Sequence, residues 1–329
     1  MTGARKLTMA QAINTALRDA LTADRSVVVF GEDVGPLGGV FRVTDGLTRD
    51  FGEQRCFDTP LAESGIVGLA VGMAMNGLRP VVEMQFDAFA YPAFEQVVSH
   101  VAKFANRTRG RVRLPLVIRI PYAGGIGGVE HHSDSSEAYY AHTPGLTVLA
   151  PATNADAYAL LRAAIELPDP VVFLEPKKHY FLAEEVDVLA PAPPIGRAVV
   201  RRAGRDATLI AYGPSVPVAL AAAERAATDG RDVGVVDLRS IVPFDDDTVC
   251  AEVRRTGRAV VVAEAPGFAS VASEVVARVT ERCFHHLEAP VRRVTGFDVP
   301  YPPPELEGYY LPGTDRILDV VDDLQWDAT

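Results

Sequence analysis

The chain has 329 residues, 48% of them hydrophobic and 23% charged, which sets it among ordinary globular proteins of two-domain length and away from disordered or collagen-like chains. Its 32 basic against 43 acidic residues leave a net charge of −11, which argues against a nucleic-acid partner. Cys56, Cys250 and Cys283 are odd in number, far apart and without a CxxC pair, so no disulfide framework or zinc site is expected. No apolar run nears the roughly 20 residues of a membrane span, and the first residues lack an export pattern, so the expected location is the cytoplasm, with no membrane contact.

Thr8 and Gln11 form a capping-box pattern ahead of Met9, Ala12, Ile13, Ala16, Leu17, Ala20 and Leu21 at helical spacing, which predicts a first helix. Continuously apolar runs at 26–30, 79–86, 114–120, 146–151 and 169–176 read as strands buried on both faces. They alternate with helical segments near 63–76, 92–106 and 154–166. At 184–196 the stretch EEVDVLAPAPPIG carries three prolines and no periodicity and reads as a linker. Beyond it, strands at 207–213, 231–238, 258–265 and 291–296 alternate with helices at 215–229, 245–256 and 269–283. YPPPELEGYYLP, from 301, excludes regular helix, and a short helix at 314–324 follows. The expected fold class is two doubly wound α/β domains, at 1–183 and 200–329, joined by a linker at 184–199.

Several binding fingerprints are missing. No GxGxxG follows a predicted strand, and there is no GxxxxGK[ST], GxSxG or HExxH. Three segments carry chemistry instead. In CFDTPLAESGIVGLAVGMAMNG (56–77) a strand ends at Asp58 and a helix opens near Ala62, putting Glu63 in a first helical turn. It is there either as a solvated, dipole-favoured carboxylate or as a desolvated one suited to proton exchange with a ligand nitrogen. Gly65, Gly68 and Gly72 in the same helix cost about 1 kcal/mol each relative to alanine, which predicts a close helix contact. EMQFDAFAYPAFEQVVSHVAKF (83–104) brings Phe86, Phe89, Tyr91 and Phe94, as core or as a ligand platform. PYAGGIGGVEHHSDSSEAYYAHTPGL (121–146) is a long glycine-rich loop with His131 and His132, suited to proton transfer near neutral pH or structural.

These segments, together with GEDVG (31–35), GGVFRVTDGL (38–47), RPVVEMQF, YPAFEQ, EHHSDSSEAYYAHTPGL, DPVVFLEPK and RVTGFDVPYPPPELE, closely resemble the β subunit of the thiamine-diphosphate-dependent 2-oxoacid dehydrogenases, almost end to end. The resemblance implies a pyrimidine-binding thiamine-diphosphate fold followed by a transketolase C-terminal-like domain. It implies that Glu63 hydrogen-bonds N1′ of the aminopyrimidine and promotes the tautomer that takes the proton from the thiazolium C2. By the same resemblance Leu61, Gln85 and Phe89 surround the pyrimidine, with Phe89 stacking, and His132 transfers protons during reductive acylation of a lipoyl group. The segments 115–118 and 164–170 match a region that binds a structural potassium ion in some members, although AIELPDP lacks part of the polar pattern.

No GDG motif, which in this family holds the diphosphate and its magnesium with a downstream Asn, occurs in the sequence. The resemblance therefore implies that a separate α subunit supplies that half of the site in an α2β2 heterotetramer, with the glycine-rich helix 63–77 in the subunit packing. Asp315, Asp319, Asp322, Asp323 and Asp327 attract a basic segment of the lipoyl-bearing acyltransferase component, or form a solvated face. EMQFD and EHHSDSSEAYYAH look more like branched-chain than pyruvate enzymes. A self-sufficient transketolase-type enzyme would need an N-terminal diphosphate domain, and a non-catalytic interaction subunit would leave Glu63 an ordinary helix-start residue.

Overall fold

A computed structural model describes residues 3–324. The first half runs β1 (Ala4–Thr8), α1 (Met9–Ala23), β2 (Val27–Gly31), α2 (Leu47–Phe51), β3 (Cys56–Asp58), α3 (Glu63–Met75), β4 (Arg79–Glu83), α4 (Phe104–Arg107), β5 (Val117–Tyr122), α5 (Glu137–Ala141), β6 (Thr147–Leu149), α6 (Asn154–Glu166), β7 (Val171–Pro176) and β8 (Ala183–Asp187). The second runs β9 (Val199–Arg202), β10 (Ala207–Ala211), α7 (Ser215–Thr228), β11 (Val233–Asp237), β12 (Ser240–Val242), α8 (Asp246–Thr256), β13 (Ala259–Pro266), α9 (Val271–Cys283), β14 (Arg292–Gly296), α10 (Glu307–Tyr310) and α11 (Thr314–Asp322).

The chain forms two α/β domains. One sheet has the order β12-β6-β7-β5-β4-β2-β3 and is parallel except for β12. The other has the order β14-β13-β10-β11-β9 and is parallel except for β9. The runs VVVFG, VIRIPY and VVFLEP are buried along their whole length, as helices on both sheet faces require. α1 and α6 cover one face of the first sheet, where Met9, Ile13, Leu17, Leu160 and Leu161 exclude water. α3 covers the other, in a core that continues through Tyr122 and Tyr212 to α8 and α9 of the second domain. The expected capping box opens α1: Thr8 Oγ1 accepts from the Gln11 amide at 3.2 Å, and Gln11 Oε1 accepts from the Thr8 amide at 3.0 Å.

Five segments depart from the sequence expectation. The helix expected over 92–106 breaks into a 3-10 segment (Ala88–Ala93) containing Pro92, a π-helical turn (Gln96–Val101) and the single turn α4; Pro92 lacks the amide that a continuous helix needs. The start of the expected linker is strand β8, antiparallel to β1. Only Val186 of β8 is buried, so this edge ribbon carries no apolar alternation to announce it. The loop after β5 contains a 3-10 turn (Glu130–His132) and α5, and the proline-rich tail tightens into a 3-10 turn (Pro304–Leu306) leading into α10. β12, from the second half of the sequence, completes the edge of the first sheet.

Candidate active site

Three strand ends finish at one level: Gly31 of β2 is in register with Asp58 of β3 and with Glu83 of β4. The carboxyl ends of parallel strands are where open α/β sheets bind ligands, and here the segments leaving them carry Glu32 and Asp33, Leu61 to Glu63, and Gln85 to Phe89. β5 ends beside them and releases the glycine-rich loop.

Glu63 is the first residue of α3, only 8% exposed, and the sole acidic group in that turn. No side chain caps the helix, so its carboxylate lies where the dipole and unpaired amides favour negative charge. Glu32, equally buried, faces it. Burial first, and then the Glu63 charge, raises the Glu32 carboxyl, while the Ala62 amide opposes the rise. Glu32 Oε1 is buried without a hydrogen-bond partner, a costly condition that a ligand donor would relieve. Sequence reasoning gave Glu32 no role, although a carboxylate two residues after the buried run SVVVF was the available signal.

The predicted residues fall into distinct settings. Gln85 Nε2 donates to Asp33 Oδ2 at 2.9 Å, tying the ends of β4 and β2 together. Phe89 lies edge-to-face with Phe86 at 5.4 Å between ring centroids and with His132 at 5.3 Å, and Phe86 meets His132 at 4.5 Å. His132 is thus half-buried on an aromatic wall, whereas His131 is exposed beside Glu130 at 3.5 Å. α3 packs on the Ala88–Ala93 turn, which packs on the Glu130–His132 turn, so Glu63, Phe89 and His132 stand on successive contacting elements. Leu61 stands out to solvent, 80% exposed and without a place in the aromatic wall.

Behind the wall, Arg119 on β5 is fully buried. Its Nε and Nη2 donate to the two oxygens of Glu175 at 2.6 and 2.9 Å, and its Nη1 donates to Glu83 Oε2 at 2.7 Å. Tyr180 OH donates to Glu175 as well. Sequence reasoning missed this triad, although single opposite charges inside the runs RPVVE, VIRI and VVFLEP were its signal.

An orphaned carboxylate oxygen near a second carboxyl, next to an aromatic wall, fits a flat heterocycle that combines an amino donor with a ring nitrogen able to exchange a proton with a carboxyl; an aminopyrimidine has that chemistry. In the segment resembling a potassium site, the carbonyls of Ile165 and Leu167 both accept from Arg79 Nη1, at 2.9 and 3.2 Å. The helix contact expected at the α3 glycines is not made among the described residues. An added Cβ at Gly68 or Gly72 would meet nothing within 4 Å, because that face of the helix is open, with Leu69 and Met75 exposed along it.

Residues 5–181 match the model of the transketolase pyrimidine-binding domain, and residues 196–317 match that of the transketolase C-terminal domain. Over 319 residues the chain is 56% identical to the 3-methyl-2-oxobutanoate dehydrogenase subunit beta of Mycobacterium tuberculosis H37Rv, covering 97% of this chain and 92% of that protein. It is 55% identical over 318 residues to the pyruvate dehydrogenase E1 component subunit beta of Leifsonia xyli, covering 97% and 94%. Among solved structures, a split-gene transketolase in an inactive beta4 tetramer superposes with a TM-score of 0.78 at 23% identity, over 97% of this chain and 98% of that one, and shows the same fold. The chain belongs to the family of 2-oxoacid dehydrogenase E1 beta subunits, built on transketolase pyrimidine-binding and C-terminal domains.

Proposed function

We propose that the chain is the β subunit of a branched-chain 2-oxoacid dehydrogenase, active with an α subunit in oxidative decarboxylation of a 2-oxoacid and reductive acylation of a lipoyl group. The observation that carries this is Glu63, buried at the start of α3 and close enough to Glu32, which has an unsatisfied buried oxygen, for its charge to raise the Glu32 carboxyl. When bound, thiamine diphosphate supplies an electron sink for the carbon left as carbon dioxide departs. This chain's part is to hold the aminopyrimidine. Glu63 would hydrogen-bond the ring nitrogen N1′ and exchange a proton with it, Glu32 would offer an acceptor for a ring donor, Phe89 would flank the ring plane, and Leu61 would present an apolar surface to it. His132, with its ring held by Phe86 and Phe89, handles the proton of acyl transfer.

The diphosphate and magnesium belong to the proposed α subunit. The open face of α3, lined by Gly65, Gly68, Leu69, Gly72 and Met75, supports a close subunit contact, since an uncovered apolar helix face calls for a partner. The acidic face proposed for the acyltransferase component is less available than its composition suggests. Asp315, Asp322 and Asp323 pair with Arg225, Arg231 and Arg292; Asp327 lies outside the described residues. A structural potassium ion would share the Ile165 and Leu167 carbonyls with Arg79. No helix among the described residues is long and apolar enough to cross a membrane. Three free, buried thiols support a reducing compartment, the cytoplasm.

The near-equal identity to a pyruvate enzyme supports a second reading, with pyruvate as substrate. The reconstituted αβ pair is expected to show a higher kcat/KM for 3-methyl-2-oxobutanoate than for pyruvate in steady-state assay, and the reverse order would establish the pyruvate reading. His132→Ala is expected to lower acyl transfer to a lipoyl domain by about 10²-fold or more, the scale of general acid–base catalysis. Decarboxylation followed with an artificial electron acceptor is expected to fall less. Equal losses in the two assays would remove the special role of His132.

A further inference from the structure

The loop that carries His132 is gripped from both domains. On its own side, the Ala123 amide donates to the Asp134 carbonyl at 2.7 Å, Tyr91 OH donates to Asp134 Oδ2 at 2.9 Å, and the Ser136 amide donates to Asp87 Oδ2 at 2.9 Å. From the far side come two carboxylates of the second domain. Glu264, at the end of β13, accepts from the Gly124 amide. Glu307, the first residue of α10, accepts from the Gly125 amide at 2.9 Å and from the Gly127 amide at 3.2 Å. Tyr301 OH donates to Glu307 Oε1 at 2.6 Å and accepts from the Gly125 amide at 3.3 Å.

The loop's composition matches this grip. The backbone is left-handed at Ala123, Gly125 and Gly127, with φ of 69°, 83° and 69°, which turns successive amides outward toward the carboxylates. A Cβ at Gly124 would collide with the Tyr301 ring, so this glycine is what allows the second domain to close on the loop; one at Gly125 would collide with the Lys178 side chain of the loop's own domain. Lys177, buried beneath, donates to the Ala123 carbonyl. His132 follows five residues after Gly127 and is otherwise fixed by its contacts with two phenyl rings and a bond from its amide to the Val129 carbonyl at 2.9 Å.

We infer that Glu307, seconded by Tyr301, is a positioning residue for His132: by accepting two loop amides from across the domain boundary it holds the Gly124–Ser133 backbone in the form that seats the imidazole on Phe86 and Phe89. The inference rests on the reading that His132 serves acyl transfer. It gives the proline-rich tail a task in the reaction, because Pro302, Pro303 and Pro304 stiffen the chain between Tyr301 and Glu307, the two residues of the clamp.

The test uses the reconstituted αβ assembly with Glu307→Ala, Glu307→Gln, Tyr301→Phe, His132→Ala and the Glu307→Ala/His132→Ala double variant. Lipoyl acylation and artificial-acceptor decarboxylation are measured beside hydrogen exchange of the 124–136 segment. Glu307→Ala is expected to speed exchange there and to lower acylation about 10- to 100-fold, the scale of misplacing a catalytic group, with decarboxylation within about twofold of wild type. Glu307→Gln, which keeps an acceptor oxygen, and Tyr301→Phe, which keeps the Glu307 carboxylate, are expected to recover most of the loss. In the double variant, Glu307→Ala is expected to add almost nothing to His132→Ala, as for residues that act through one another. An unchanged ratio of the two activities in Glu307→Ala overturns the inference, whether exchange changes or both activities fall together through loss of assembly. Additive losses in the double variant also overturn it. If His132→Ala alone leaves acylation intact, the reading of His132 fails, and the exchange data still report whether the clamp exists.

Discussion

Glu63→Gln, reconstituted with the α subunit, is expected to lose decarboxylation by about 10² to 10⁴-fold while assembling normally. Gln keeps the shape of the side chain at the first position of α3 and can still donate or accept a hydrogen bond, but it cannot exchange a proton with a ring nitrogen at neutral pH. The change also removes the charge that raises the Glu32 carboxyl, so Glu32 is expected to ionise at a lower pH in the variant. Artificial-acceptor turnover and size-exclusion chromatography of the αβ assembly are the measurements. Turnover within a fewfold of wild type would mean that Glu63 is only a helix-start carboxylate, and would favour a non-catalytic interaction subunit.

Arg119→Met is expected to be the most destabilising single change near the site, by about 3–5 kcal/mol at neutral pH, because it strands two buried carboxylates without their counter-ion. Burial raises Glu83, and Arg119 is what opposes that rise. The pH dependence follows in sign. With Arg119 gone, nothing opposes the rise that burial imposes on Glu83, whose folded pKa then lies further above its unfolded one, so stability is retained where that carboxyl is protonated and lost as pH rises past the ordinary carboxylate range. Urea unfolding should therefore show a wild-type-to-variant gap that is wide at pH 7 and narrows toward pH 5. A gap below about 1 kcal/mol that does not change with pH would mean that the triad contributes no more than a surface ion pair.

Much of the architecture was legible because it follows from burial on two faces. The runs SVVVF, LPLVIRI and DPVVFLEP are apolar without alternation because helices cover both sides, and the Thr8–Gln11 capping box marked the start of α1 at the residue where it begins. Glu63 was legible for a similar local reason, a strand, a Thr-Pro turn and then an apolar helix. β1 and β8 were hidden because a two-stranded ribbon on the surface buries almost nothing, and strand recognition from pattern depends on burial. The Arg119 triad and the Glu307 clamp were hidden because they join residues 36 to 182 positions apart, a distance that local pattern does not span. The aromatic cluster of 83–104 was open between core and platform; the structure puts Phe86 and Phe89 against His132, a contact between loops of different strands.

β12 lends three residues of the second domain to the first domain's sheet, where Ser240 and Val242 pair with Leu149 and Val148. The halves are therefore not interchangeable modules on a string. A polypeptide cut after the first would leave the amides and carbonyls of β6 as a bare, apolar edge, an adhesive margin for any other extended chain. Because that margin is closed only by the far half of the polypeptide, neither half is complete without the other.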